Sequence, residues 1–218
     1  MGDVENWIKI KSIGIPKKHW CAAKMNFCDG DDKDAYDIIR SFACYPDKVR
    51  DNGYGLFIHG DYGTGKTHAA CYCLIQAMYR LFEYDTDAKF DGGCFFISAA
   101  DYVQSVLQKD HDVIRRAEMA KVLVLDDLGK ESRNYTNESG WAISVLVNLV
   151  KKRSEQMQHT IVTTNLMPDE VISRYSEYLE EAIRDNMVHI VLRVIKRSDK
   201  SLSGYVVSAL DSGENNGS

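Results

Sequence analysis

Lys66 and Thr67 close the run Gly60-Asp61-Tyr62-Gly63-Thr64-Gly65-Lys66-Thr67, which fits the pattern G-x-x-x-x-G-K-[ST]. The chemistry of that pattern is the grip of phosphate groups. Its glycines let backbone N–H groups converge on anionic oxygens with no Cβ in the way. His68 leads into a stretch with Ala70, Leu74, Ala77, Met78 and Leu81 at helical spacing, and a helix N-terminus adds partial positive charge. Lys66 is the residue to reach the β- and γ-phosphates of a nucleotide, and Thr67 the ligand for Mg²⁺. The candidate binding loop runs from Gly60 to His68. A chance glycine-rich turn would not require the apolar strand signal Gly55-Leu56-Phe57-Ile58-His59 directly before it.

A second group is Val122-Leu123-Val124-Leu125-Asp126-Asp127, four apolar residues and then two carboxylates. Asp126, at the end of a buried strand, is placed to hold Mg²⁺. Asp127 is placed to orient or deprotonate an attacking water. On its own an acidic turn explains such a pair; downstream of a phosphate loop the catalytic reading is favoured. The third group is Thr163-Thr164-Asn165. Asn165 there can hydrogen-bond a γ-phosphate or the attacking water, against the plain alternative of an Asn favoured in turns.

These groups need strands to end where they do. Apolar runs give strands at Gly55–His59, Cys94–Ser98, Lys121–Asp127, Thr160–Asn165 and His189–Val194. The third is nearly all apolar, as expected of a strand covered on both faces. Helical spacing marks Asp34–Tyr45, His68–Leu81, Ala99–Gln108 with Val103, Val106 and Leu107 inward, Asp112–Ala120, Glu138–Arg153, Pro168–Tyr175 and Tyr178–Asn186. Alternation of strands and helices implies a parallel sheet with right-handed crossovers. Residues 1–32 lack periodicity; Ile13-Gly14-Ile15-Pro16 and Trp20 suggest an extended arm that docks apolar groups, at the adenine edge of the site or simply on the core. The expected division is an arm and leading helix over 1–50, a core carrying the phosphate loop over 51–208, and a disordered tail over 209–218.

The formal net charge of −5 provides no overall basic field, so any nucleic-acid contact needs a local patch. Lys151-Lys152-Arg153 and Arg115-Arg116 are the candidates; the first better suits the C-terminal end of a helix dipole. Tyr135 is a weak candidate for base stacking. Six cysteines without a C-x-x-C pair read as reduced thiols rather than a zinc site. No apolar run spans a membrane and no signal peptide opens the chain, which gives the expectation of a cytoplasmic protein.

Taken together, Gly55 to Thr67, Val122-Leu123-Val124-Leu125-Asp126-Asp127-Leu128-Gly129 and Thr160-Ile161-Val162-Thr163-Thr164-Asn165-Leu166 resemble the AAA+ ATPases of the DnaC/IstB type. These are bacterial and phage helicase loaders and related transposition helper ATPases. The resemblance, which takes in Gly14-Ile15-Pro16, runs from about Ile13 to Lys200. It implies a P-loop fold with a five-stranded parallel sheet in the order 5-1-4-3-2, flanked by helices. It also implies ATP and Mg²⁺ as ligands, slow partner-stimulated ATPase activity, and self-association with ATP. Implied partners are a replicative helicase or a transposase, with single-stranded DNA as a further one, and Asn165 becomes the sensor-1 residue. Two positions depart from the family. Asn186 stands where an Asp-Arg pair usually offers its Arg to a neighbouring subunit, leaving Arg184, then Arg174, as substitutes. Ser198-Asp199-Lys200 replaces a Ser-Tyr-Arg sequence, so Lys200 or Arg197 would have to meet the γ-phosphate. Three functions stay open: a helicase loader, a transposition helper, and a nucleotide-gated adaptor with little hydrolysis. A small-molecule phosphotransferase would need an acceptor base and an Arg-rich lid, and the sequence shows no such cluster.

Overall fold

The computed structural model describes residues 3–24, 33–44, 53–84, 93–131, 140–175 and 177–192. Tyr135, Arg197, Lys200 and the tail 209–218 lie outside them. Five parallel strands form one sheet: β1 Gly55–His59, β2 Cys94–Ser98, β3 Val122–Leu128, β4 His159–Thr164 and β5 Met187–Val191. Their order is β2-β3-β4-β1-β5, the 5-1-4-3-2 arrangement expected from the resemblance. β3 and β4 each have a strand on both sides and are buried along nearly their whole length, β3 with a continuous apolar run and β4 with Thr and His side chains among its buried positions. β5 is an edge strand with Met187 and Ile190 buried and Val188, His189 and Val191 exposed, and it begins two residues before the sequence suggests.

Alternation along the strands feeds two cores. Leu56, Ile58, Phe96, Val124 and Ile161 face one side. There they meet α3, Lys66–Tyr84, through Ala69, Ala70, Cys73 and Leu74. Small residues in the first turns of α3 bring it close to the sheet. α2, Lys33–Cys44, packs outside α3 through Ile39 and Ala43. Phe57, Phe95, Leu123, Leu125 and Val162 face the other side. That face is covered by α4 Ala99–Leu107, α5 His111–Met119, α6 Trp141–Glu155, α7 Pro168–Tyr175 and α8 Glu177–Asn186. In α4 the buried positions are Ala99, Tyr102 and Val103, while Leu107 is exposed; the inward assignment of Leu107 fails because α4 ends there.

The arm is not extended throughout. Asp3–Ser12 forms α1 and Lys17–Lys24 a 3-10 helix. Only Ile13–Pro16 between them is irregular, and it docks as expected, with Ile13 and Ile15 buried. It also covers the β2 edge, the Phe96 N–H donating to Ile13 O at 2.8 Å. At Gly14, φ is +89° and a Cβ would lie 2.6 Å from Phe96 O, so this close approach requires glycine.

Arg153 is the largest fully buried side chain. Its guanidinium donates to the carbonyls of Ala117, Ala120 and His159 and to Thr160 Oγ1, tying α6 to the end of α5 and to β4. Burial pulls it down to about 9, still protonated at neutral pH. The suggested basic patch therefore loses its Arg, and Lys152 pairs with Glu118 at 2.7 Å. Arg116 is similarly engaged, donating to Ser12 O and lying 4.3 Å from the Phe95 ring centroid. Among the described residues no helix is long and apolar enough to cross a membrane.

Candidate functional site

The site lies at the C-terminal ends of β1, β3 and β4. Leaving β1, the chain turns through Gly60, where φ is +141° and a Cβ would come within 2.1 Å of Leu192 O. Gly63 and Gly65 also have positive φ, +78° and +90°. A Cβ on Gly65 would meet nothing within 4 Å; the loop is concave there, with room for a ligand against bare backbone. α3 starts at Lys66, so its first N–H groups point toward this concavity without intrahelical partners.

Lys66 is buried, and its ammonium lies inside the loop. It donates to Gly60 O at 2.8 Å, Asp61 O at 2.7 Å and Thr64 Oγ1 at 3.4 Å. Burial pulls it below the ordinary lysine range; nearby Asp127 opposes the shift and Lys130 adds to it. Tyr62 is the most exposed large side chain of the loop. His68, in the first turn of α3, has the ring of His19 from the 3-10 helix 5.9 Å away. The arm therefore reaches the start of α3, next to the loop.

Thr67 Oγ1 donates to Asp126 Oδ1 at 2.9 Å, and Thr163 Oγ1 donates to the same oxygen at 2.6 Å. Alternation explains the meeting: Val122, Val124 and Ile161 face α3, so Asp126 and Thr163 do as well. The Thr163 hydroxyl in turn accepts the Asp127 N–H at 2.9 Å. Burial raises the Asp126 carboxyl above its usual range, and the two threonine hydrogen bonds hold it back. A buried carboxylate beside a second hydroxyl oxygen suits a hard divalent cation. Among the described residues no group of three or more His, Cys, Asp or Glu is arranged to hold a metal. Magnesium fits that situation, since it commonly uses one or two protein oxygens with phosphate and water.

Asp127 departs from strand geometry. Its φ is +58°, and the β3–β4 register shifts between Leu125 and Leu128. Such a conformation is uncommon outside glycine, with Asp among the residues that tolerate it. It turns the Asp127 carboxylate away from Asp126 and toward Lys130, whose Nζ is 2.8 Å from Oδ2. Asn165 follows Thr164, the register partner of His59, and so stands beside the start of the loop with its side chain half-buried.

The structure thus brings Gly60 to His68, Asp126, Asp127 and Asn165 to one end of the sheet. Arg184 is elsewhere, exposed in the last turn of α8 and lining a cavity of about 250 Å³ with Phe57, Asp169, Ile172 and His189. Arg174 is committed to Glu131 at 3.3 Å. Three residues to which the sequence reading gives no role of their own complete the surroundings. Thr163 lies in the third marked group, but its tie to Asp126 follows only from β3 and β4 being neighbours. Glu131, buried, accepts from the Gly129 N–H at 2.9 Å and Tyr175 Oη at 2.6 Å. Lys130, between them, lies 5.2 Å from the Tyr62 ring centroid. Neither has a spacing signal of its own.

The family model described as "ATPase family associated with various cellular activities (AAA)" matches residues 56–184. No curated protein matches the sequence. Among solved structures, the DnaC helicase loader is 24% identical over 81% of this chain and 99% of that one, with a TM-score of 0.64. DnaI is 17% identical over 83% and 95%, with a TM-score of 0.61. The replication initiator DnaA, bound to AMPPCP and single-stranded DNA, is 15% identical over 91% of this chain and 57% of its own, with a TM-score of 0.63. At these identities the likeness is one of fold.

Proposed function

The chain belongs to the AAA family of ATPases, and from that premise we propose that it binds ATP with Mg²⁺ and hydrolyses it slowly, its nucleotide state controlling assembly on a replicative helicase or on single-stranded DNA. The observation that carries the reading is the linkage of Thr67, Asp126, Thr163 and the Asp127 backbone beside the buried Lys66 ammonium. It joins the phosphate loop to both candidate acids. The loop and Lys66 bind the phosphates, Lys66 exchanging its carbonyl partners for phosphate oxygens. Thr67 and Asp126 are the residues to hold Mg²⁺, which when bound offsets phosphate charge.

In hydrolysis Asp127 takes a proton from water as the water oxygen bonds the γ-phosphorus. The bond from that phosphorus to the β–γ bridging oxygen breaks, and its electron pair leaves with ADP. The proton then passes from Asp127 to solvent or phosphate. Asn165, beside the loop, orients the water or the γ-phosphate. The loader role is supported by the fold shared with DnaC and DnaI; a transposition helper would use the same site with a transposase as partner. An adaptor with little hydrolysis is favoured by the missing Asp-Arg pair, Asn186 standing where the family offers its Arg to a neighbour.

Nucleotide-dependent stability tests the binding half. ATP·Mg²⁺ at about 100 times its Kd is expected to stabilise the fold by about 2.7 kcal/mol, and Lys66→Ala to lose most of that gain. Equal gains in a thermal-shift assay would refute the assignment of the loop.

A further inference from the structure

Resting on the ATPase reading and extending it, we propose that Lys130 is a positioning residue of the hydrolysis site, an in-cis cation that holds the Asp127 carboxylate beside the phosphate loop. Its backbone is tied on both sides. Gly129, at φ +103°, is the third residue of a tight turn in which the Lys130 N–H donates to Asp127 O at 3.1 Å. Glu131, on the other side, is anchored by the Gly129 N–H, Tyr175 Oη and Arg174. Between these anchors the Lys130 side chain is 41% exposed and doubles back over the site. Its ammonium lies 2.8 Å from Asp127 Oδ2 and 5.2 Å from the ring centroid of Tyr62. One side chain thus spans the second acid and the phosphate loop.

The two ends of Asp127 are then fixed separately, the backbone by Thr163 and the carboxylate by Lys130. Ion pairs this exposed contribute little to folding. Their cost in ordering a lysine stem is lowered here because the stem leaves a tied backbone. A carboxylate that must meet a water in line with the γ-phosphorus depends steeply on position, and about 1 Å of misplacement costs on the order of 100-fold in rate. The effect of Lys130 therefore falls on turnover rather than on stability or nucleotide binding.

Lys130→Met keeps the stem and removes the charge; Lys130→Arg keeps the charge. The experiment measures steady-state ATP turnover of the full chain across ATP concentrations, and its Tm with and without ATP·Mg²⁺. Lys130→Met is expected to lower kcat about 10–100-fold, leave KM and the nucleotide-induced rise in Tm little changed, and be largely rescued by Lys130→Arg. Wild-type kcat in Lys130→Met, or no rescue by Arg, overturns the role of Lys130 while the ATPase reading stands. A wild type with no turnover overturns that reading and this proposal together.

Discussion

Two adjacent carboxylates are given different work by their surroundings. Asp126 is buried, with Thr67 and Thr163 both donating to one oxygen. Asp127 is a third exposed at its side chain and in the left-handed region. Asn also tolerates that region, so Asp127→Asn is expected to leave the fold and ATP affinity within a few-fold. Turnover should fall about 10²–10⁴-fold, the usual contribution of a general base. Asp126→Asn should instead raise the Mg²⁺ concentration needed for nucleotide-induced stabilisation. An Asp127→Asn chain that hydrolyses ATP at the wild-type rate would remove Asp127 from the mechanism. At this scale the sequence spells out residues whose spacing is set by the chain itself, Lys66 and Thr67 above all. Thr163 becomes visible only when β3 and β4 are known to be neighbours. The turn that aims Lys130 has no periodic signature.

Elements were legible where a strand or helix buries one clear face, and less so where docking decides. α1 and the 3-10 helix are short and weakly amphipathic, so their form depends on the core that receives Ile10, Ile13 and Ile15. His19 shows the consequence. Burial pushes it down to about 4, with Lys18 and His68 acting in the same direction and Asp127 against. Below its ordinary value of 6.5 the unfolded chain takes up a proton that the folded chain refuses. Stability is therefore expected to fall as pH drops from 6.5 toward about 4, and His19→Gln to flatten that slope in urea titrations at several pH values. An unchanged slope would mean that other groups set the acid limb. Arg153 looked like a surface cation at the end of α6 because helix ends often carry them. Its acceptors come from α5, β4 and the residues flanking them, invisible in linear order. Arg153→Met would leave buried carbonyls without donors at about 1–3 kcal/mol each. A loss under about 1 kcal/mol in chemical denaturation would contradict this account.

At the scale of the molecule, the sheet order collects the phosphate loop, both acids and Asn165 at one end, while Arg184 sits across the sheet from α3. A γ-phosphate held by Lys66 develops charge in the transition state that an arginine normally meets. Arg174 is held by the buried Glu131, which leaves Arg184 as the better candidate to act on a neighbouring copy. It falls two residues before Asn186, the position the family's finger would occupy, and two residues is about 200° around a helix. Its exposure in the last turn of α8, on the rim of the cavity lined by Phe57 and His189, permits presentation to another subunit. If assembly is the working state, Arg184→Ala and Lys66→Ala chains each carry one defective half of a shared site. Mixing them should restore part of the ATPase activity that both lack alone, through interfaces where an intact loop meets an intact arginine. A trans arginine contributes about 10³–10⁵ in rate where it acts, so even a minority of restored interfaces would stand well above the background. Unchanged activity in Arg184→Ala by itself, with no gain on mixing, would remove Arg184 as the finger and make a chain that signals through its bound nucleotide the better reading.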